Sequence, residues 1–254
     1  MPERNALVAA LDELLTPESG PVDDASNNGL QVEGKEQVER AVFGVDACLD
    51  LFQQAASGSA DFVFVHHGLS WGGGLKRLTG TIGRRTRVLF ENRISLYASH
   101  LPLDMHPELG HNAVMARELG IVSPEPFFSY EGAEIGFGGR LPEPCTADDL
   151  AQQMDVSLNC ESRIFGGKDA QLTGVGIVSG GGADAISECA ENGYECLVTG
   201  EMKHSQYHTA SELGVCVIAG GHYRTETPGV KAVMNWVQEK FDIDCSFVDL
   251  PTGL

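Results

Sequence analysis

Apolar and polar positions follow two periods along the chain, and the switches between them divide it into elements. Residues 4–15 place Leu7, Leu11, Leu14 and Leu15 on one side of a helix, which Pro17 and Gly20-Pro21 then end. Residues 27–34 read as a turn and a short strand. Apolar runs at 41–46, 61–65 and 94–99 read as strands, separated by helices at 49–56 and 84–92. A further helix covers about 108–118 and ends at Gly120. Region 124–171 is rich in Pro and Gly and weaker in pattern. It offers a strand at 134–141 and a helix start at Thr146, where Asp149 three residues on completes a capping pair. Strands at 174–178, 196–199, 215–219 and 245–248 then alternate with helices at 183–191, 205–213 and 227–240.

Phe62 to Val65 is a continuous β-branched and aromatic run, the pattern of a strand covered on both faces. It stops at His66-His67-Gly68. Open α/β sheets put their ligands at the carboxyl ends of such strands. The neighbouring strands end near Asp46 and near His100 with Asp104; those of the second half end near Gly180, Glu201, and His222 with Glu226. The third strand of each half thus delivers a His and, four residues later, a carboxylate. The repetition predicts two pseudo-symmetric α/β halves, 1–125 and 126–254, with mostly parallel sheets and a metal site between them.

Composition narrows the class. The chain has 254 residues, 42% hydrophobic and 21% charged, as in a soluble globular protein. No stretch has the length and apolarity of a membrane span, and the start lacks a signal peptide's basic and apolar regions, so a cytoplasmic location is expected. Acidic residues outnumber basic ones by 36 to 17, a net charge of −19. That field argues against duplex DNA as a partner and suits solubility by self-repulsion, as in a high-salt, halophile-like cytosol. The basic cluster Arg84-Arg85-Thr86-Arg87 reads as one exposed helix face. Seven cysteines without a Cys-x-x-Cys indicate neither a disulfide framework nor a thiolate zinc site.

The polar strand ends supply His66, His67, His100, Asp104, His222 and Glu226. Imidazole with carboxylate suits Zn, Mn, Fe or Ni. Neighbouring side chains in a strand diverge, so His66 and His67 are expected to serve two ions, with Asp104 and Glu226 as bridges. Two such ions sit about 3.5–4 Å apart. Ser70-Trp71-Gly72-Gly73-Gly74 reads as a loop able to cover a site, and His204 and His208 as pocket or helix-surface residues.

Several motifs occur in a fixed order: Asn28-Gly29-Leu30-Gln31-Val32-Glu33-Gly34, His66-His67-Gly68, Tyr97 with His100-Leu101-Pro102-Leu103-Asp104, Thr199-Gly200-Glu201, and Gly221-His222 with Thr225-Glu226. Together they resemble the NIF-three-like dinuclear metal-centre family, also called GTP cyclohydrolase I type 2, in its short form without an inserted domain. The resemblance implies two divalent ions held by His66, His67, Asp104, His222 and Glu226, with His100 as a ligand or a group behind one. It also implies a ring-shaped homohexamer built from trimers. The fitting chemistry is metal-assisted hydrolysis of a small-molecule substrate, with Glu201 or His100 moving the proton. For a cyclohydrolase the target is C8 of GTP. Two other readings stay open: a phosphoesterase or nucleotide hydrolase, and a non-catalytic metal-binding regulatory or scaffold protein.

Overall fold

The computed structural model describes residues 1–16 and 22–254. In chain order, helix α1 (Arg4–Leu15) leads to β1 (Gly29–Val32), β2 (Arg40–Asp46), α2 (Leu49–Ser57), β3 (Phe62–His67), α3 (Gly80–Asn92) and β4 (Ser95–Ala98). There follow α4 (Leu101–Asp104), α5 (His111–Glu118), β5 (Val122–Tyr130), β6 (Ala133–Thr146), α6 (Ala147–Leu158) and β7 (Arg163–Phe165). The chain continues through β8 (Gln171–Val178), α7 (Ile186–Glu191), β9 (Cys196–Thr199), α8 (Tyr207–Leu213), β10 (Cys216–Ala219), α9 (His222–Thr225), α10 (Thr227–Phe241) and β11 (Asp244–Phe247). The Pro17 and Gly20-Pro21 stop signals lie outside the described residues; the helix itself ends at Leu15, with Thr16 already extended. No helix among the described residues is long and apolar enough to cross a membrane.

The result is mixed α/β with two mixed sheets. The first runs β1-β4-β3-β2-β11, and the second β5-β6-β8-β9-β10-β7. In the first, β2, β3 and β4 are parallel neighbours, β11 adds parallel to β2, and only β1 is antiparallel. In the second, β8, β9 and β10 are parallel neighbours, but β5, β6 and β7 pair antiparallel. The expectation of mostly parallel sheets therefore fits the first sheet and is corrected for the second. The cause is the long β5–β6 hairpin, whose prolines and polar positions obscured β5 and the end of β6 in the sequence; Pro124, Pro126, Pro142 and Pro144 lie in it.

Two compact units emerge, Met1–Leu103 with Val230–Leu250, and Asp104–Gly229 with Pro251–Leu254. They do not divide at 125/126, because most of α10 and all of β11 return to the first unit, where β11 pairs with β2. In the first unit Phe43, Phe64 and Tyr97 on adjacent strands stack in a row, with ring centroids 5.5 and 5.7 Å apart. Val63, Val65, Leu96 and Ala98 fill the opposite face with Leu51, Phe52 and Leu89 of the helices. Both faces of β3 are therefore apolar and covered, so polar groups on this strand can only emerge at its end. In the second unit α6 packs Leu150, Met154 and Leu158 against Val175, Ile177, Val198 and Ile218 of the sheet. Thr146 caps that helix as the sequence indicates: its Oγ1 accepts from Asp149 N at 3.1 Å while the Asp149 carboxylate accepts from Thr146 N at 3.1 Å.

Candidate metal centre

In the first unit three imidazoles meet where β3 and β4 end. One ring nitrogen from each of His66, His67 and His100 lies within 4.8 Å of the others. The rings of His66 and His67 stand 4.6 Å apart, and that of His100 is 5.1 and 5.6 Å from them. The expectation that the adjacent pair would point apart fails at this position. His67 is the last strand residue, and the chain turns at Gly68, where a Cβ would come within 2.4 Å of the Gln31 side chain.

Each of these histidines has its Nδ1 engaged by an oxygen. His66, fully buried, donates to Ser99 O at 2.9 Å. His67 Nδ1 meets Asp46 Oδ1 at 2.9 Å, a pairing set by the strand register that places Asp46 beside His67. His100 Nδ1 meets Asp24 Oδ1 at 2.8 Å. An acceptor at Nδ1 fixes the tautomer with the proton there and leaves Nε2 basic, the form a metal requires. Asp24 also accepts from Leu101 N and Asn28 Nδ2, while Asn28 Oδ1 accepts from His100 N at 2.8 Å. Burial alone would raise the Asp24 pKa. The hydrogen bonds from His100, Asn28 and Ser26 outweigh it and hold the group at about 2, so it stays ionised.

The second unit carries the carboxylates. His222 opens α9 just past β10; its Nδ1 lies 2.6 Å from Glu201 Oε1 and its Nε2 3.0 Å from Glu226 Oε1. The Glu226 hydrogen bond, opposed by burial and aided by Glu201, raises the His222 pKa to about 9. The protonated ring then donates from Nδ1 to Glu201 and from Nε2 to Glu226. Gly180 makes room: with φ at +60°, it places its backbone where a Cβ would sit 2.3 Å from Glu226 Oε1. Asp104, at the end of α4 and buried, accepts from Ser179 Oγ at 2.8 Å. Asn112 braces this arrangement, donating to Asp104 O and accepting from Ser179 N.

Of the remaining histidines, His111 offers a ring nitrogen within 4.8 Å of an Asp104 oxygen. His111 is buried and its Nδ1 accepts from Gly229 N at 3.0 Å, which leaves the proton on Nε2 and suits a donor better than a ligand. His204, in the short helical turn before α8, and His208, in the first turn of α8, are exposed. Sequence reasoning missed Asp24 as a functional group, since it stands in an irregular segment with no periodic signal. Asp46 was legible as a strand end but not as the partner of His67. A groove of about 790 Å³ also opens at the carboxyl ends of β9 and β10, between Glu201, Gly221, Arg163 and Arg224.

Strand ends bearing imidazoles at ligand spacing, on a mixed α/β scaffold, are an arrangement consistent with metal binding. The chain matches Duf34/NIF3 (NGG1p interacting factor 3) over residues 2–252 and belongs to that family. It is 45% identical over 255 residues to the GTP cyclohydrolase 1 type 2 homolog of Pyrococcus abyssi, covering 99% of this chain and 100% of that one. The solved structure of TTHA1606 from Thermus thermophilus matches with a TM-score of 0.88 at 38% identity, covering 99% and 100% of the two chains. Protein ybgI, described as of unknown function, matches with a TM-score of 0.90 at 34% identity over the same shares. End-to-end coverage leaves no place for an inserted domain.

Proposed function

We propose that this chain is a dinuclear-metal hydrolase acting on a nucleotide-type substrate. The observation that carries the reading is the set of three imidazoles with Nδ1 tied to Ser99 O, Asp46 and Asp24. Histidines restrained only for packing have no need of a fixed ligand tautomer in all three rings. His66, His67, Asp104, His222 and Glu226 hold the ions in this reading, drawn from Zn, Mn, Fe or Ni. When bound, two such ions supply an acidified water for attack on an electrophilic carbon or phosphorus. Glu201 and His100 handle the proton. The support is that each already shares one: Glu201 with His222 at 2.6 Å, His100 with Asp24 at 2.8 Å. The names of the relatives favour GTP, opened at C8, as the substrate. The resemblance further favours a ring-shaped homohexamer.

A second reading, phosphoester or nucleotide hydrolysis, is favoured by Arg163 and Arg224 beside the groove next to Glu201, since two guanidiniums suit a phosphate. Metal-loaded protein incubated with GTP, other nucleotides and simple phosphoesters separates these outcomes. Ring opening of GTP supports the first, phosphate release the second. Stoichiometric metal without turnover of any substrate leaves a metal-binding regulatory or scaffold protein.

A further inference from the structure

Trp71 stands beside the three imidazoles. Its ring centroid is 5.1 Å from that of His100, edge-on, and 6.2 Å from that of His67. It is 38% exposed, so much of the indole faces away from these contacts into the open. The backbone around it is held at many points. Trp71 bridges to Ser26, Gly72 N donates to Ala25 O, and Asn27 N donates to Ser70 O. Gln31 Oε1 accepts from Leu69 N and Ser70 N at 2.8 and 3.1 Å, while its Nε2 reaches Asn27 O at 2.8 Å.

The indole N–H is already spent: Nε1 donates to Gly68 O at 2.8 Å. That bond turns the only polar atom of the side chain back toward its own loop. What remains for a ligand is the π surface, which can recognise a planar ring but neither a phosphate nor a sugar hydroxyl. A Trp needed only to brace the histidines would gain most by complete burial. A rigidly mounted and half-open indole is the arrangement used to stack bases without reading their edges.

We infer that the open surface of Trp71 is a stacking platform for a planar heteroaromatic ring beside the three imidazoles. This rests on the hydrolase reading above and narrows its substrates to compounds with a purine-like or pterin-like ring. A stacked base is worth about 5- to 150-fold in affinity.

The test uses the metal-loaded full chain. The sequence has two tryptophans, so Trp236→Phe leaves Trp71 as the sole indole fluorophore. Guanosine, adenosine and a pterin should quench that emission saturably, and tripolyphosphate should not. By calorimetry, Trp71→Leu should weaken the planar probes about 5- to 150-fold, and Trp71→Phe should retain most of the affinity. Metal content should stay unchanged in both variants. Equal binding by Trp71→Leu overturns the platform, as does wild-type protein that binds none of the planar probes. Loss of metal together with binding in Trp71→Leu overturns it too, because the indole then only positions His67 and His100. Stacking without any turnover would leave the platform standing and defeat the hydrolase reading. Hydrolysis of non-aromatic phosphoesters without ring binding would do the reverse.

Discussion

At the scale of single residues, the proposed chemistry depends on the groups behind the imidazoles as much as on the imidazoles. Asp46 and Asp24 fix His67 and His100 through bonds of 2.9 and 2.8 Å. Removing such a carboxylate leaves the imidazole in place but free to rotate and to change tautomer. Asp46→Ala is therefore expected to fold normally and to bind metal about 10- to 100-fold more weakly, measured by competition with a chromophoric chelator. Gly180→Ala tests the second unit. Its Cβ would displace the Glu226 carboxylate, so metal retention should fall while secondary structure, followed by circular dichroism, is kept. His66 and His67 were legible from sequence because a histidine pair interrupts a run too apolar to be anything but a buried strand. Asp24 was not, because an isolated carboxylate in an irregular segment announces nothing until His100 is seen to need it.

At the scale of elements, periodicity located the buried strands β2, β3, β4, β9 and β10, where two covered faces leave a continuous apolar run. It failed for β5 and for the C-terminal end of β6, past the strand read at 134–141. Many residues of that hairpin are solvent-facing, and its prolines lower any strand signal. It also missed α4 and α9, four-residue helices too short for a period to register, although Asp104 closes one and His222 opens the other. The start of the first sheet is clamped by Asp61, which accepts from Lys35 Nζ at 2.5 Å, Glu39 N at 2.9 Å and Arg40 N at 3.2 Å. Burial opposes ionisation of this carboxyl, but the bonds from Lys35, Glu39 and Arg40 win and lower its pKa below the ordinary 3.8. A carboxyl whose pKa is lowered on folding stabilises the protein above its unfolded value. That stabilisation is lost as pH falls through the folded value. Asp61→Asn should therefore cost about 1–3 kcal/mol at pH 7 in urea denaturation, with the difference from wild type shrinking below pH 4.

At the scale of the whole molecule, the net charge of −19 sets the behaviour in solution. Self-repulsion among carboxylates is screened by salt, with a Debye length near 10 Å at 0.1 M falling to about 3 Å at 1 M. The thermal midpoint should rise between 0.1 and 1 M KCl, checked by differential scanning fluorimetry; a fall would argue that attractive ion pairs dominate. The hexameric ring is a separate expectation. Six copies of a 27.1 kDa chain give about 163 kDa, which light scattering coupled to size-exclusion chromatography reads directly. The sequence displayed the repetition of strand ends but not how the last helix and strand would be shared. Only the pairing of β11 with β2 reveals that the C-terminal segment belongs with the first unit.

The metal centre is what every functional statement rests on, and it is tested most directly by counting ions. Wild-type protein and His67→Ala are dialysed to equilibrium against Zn or Mn and analysed for metal per chain. Two ions per chain are expected in the wild type and the loss of at least one in the variant, with the fold retained. A wild type that holds no metal, or a His67→Ala protein that holds as much as the wild type, would contradict it.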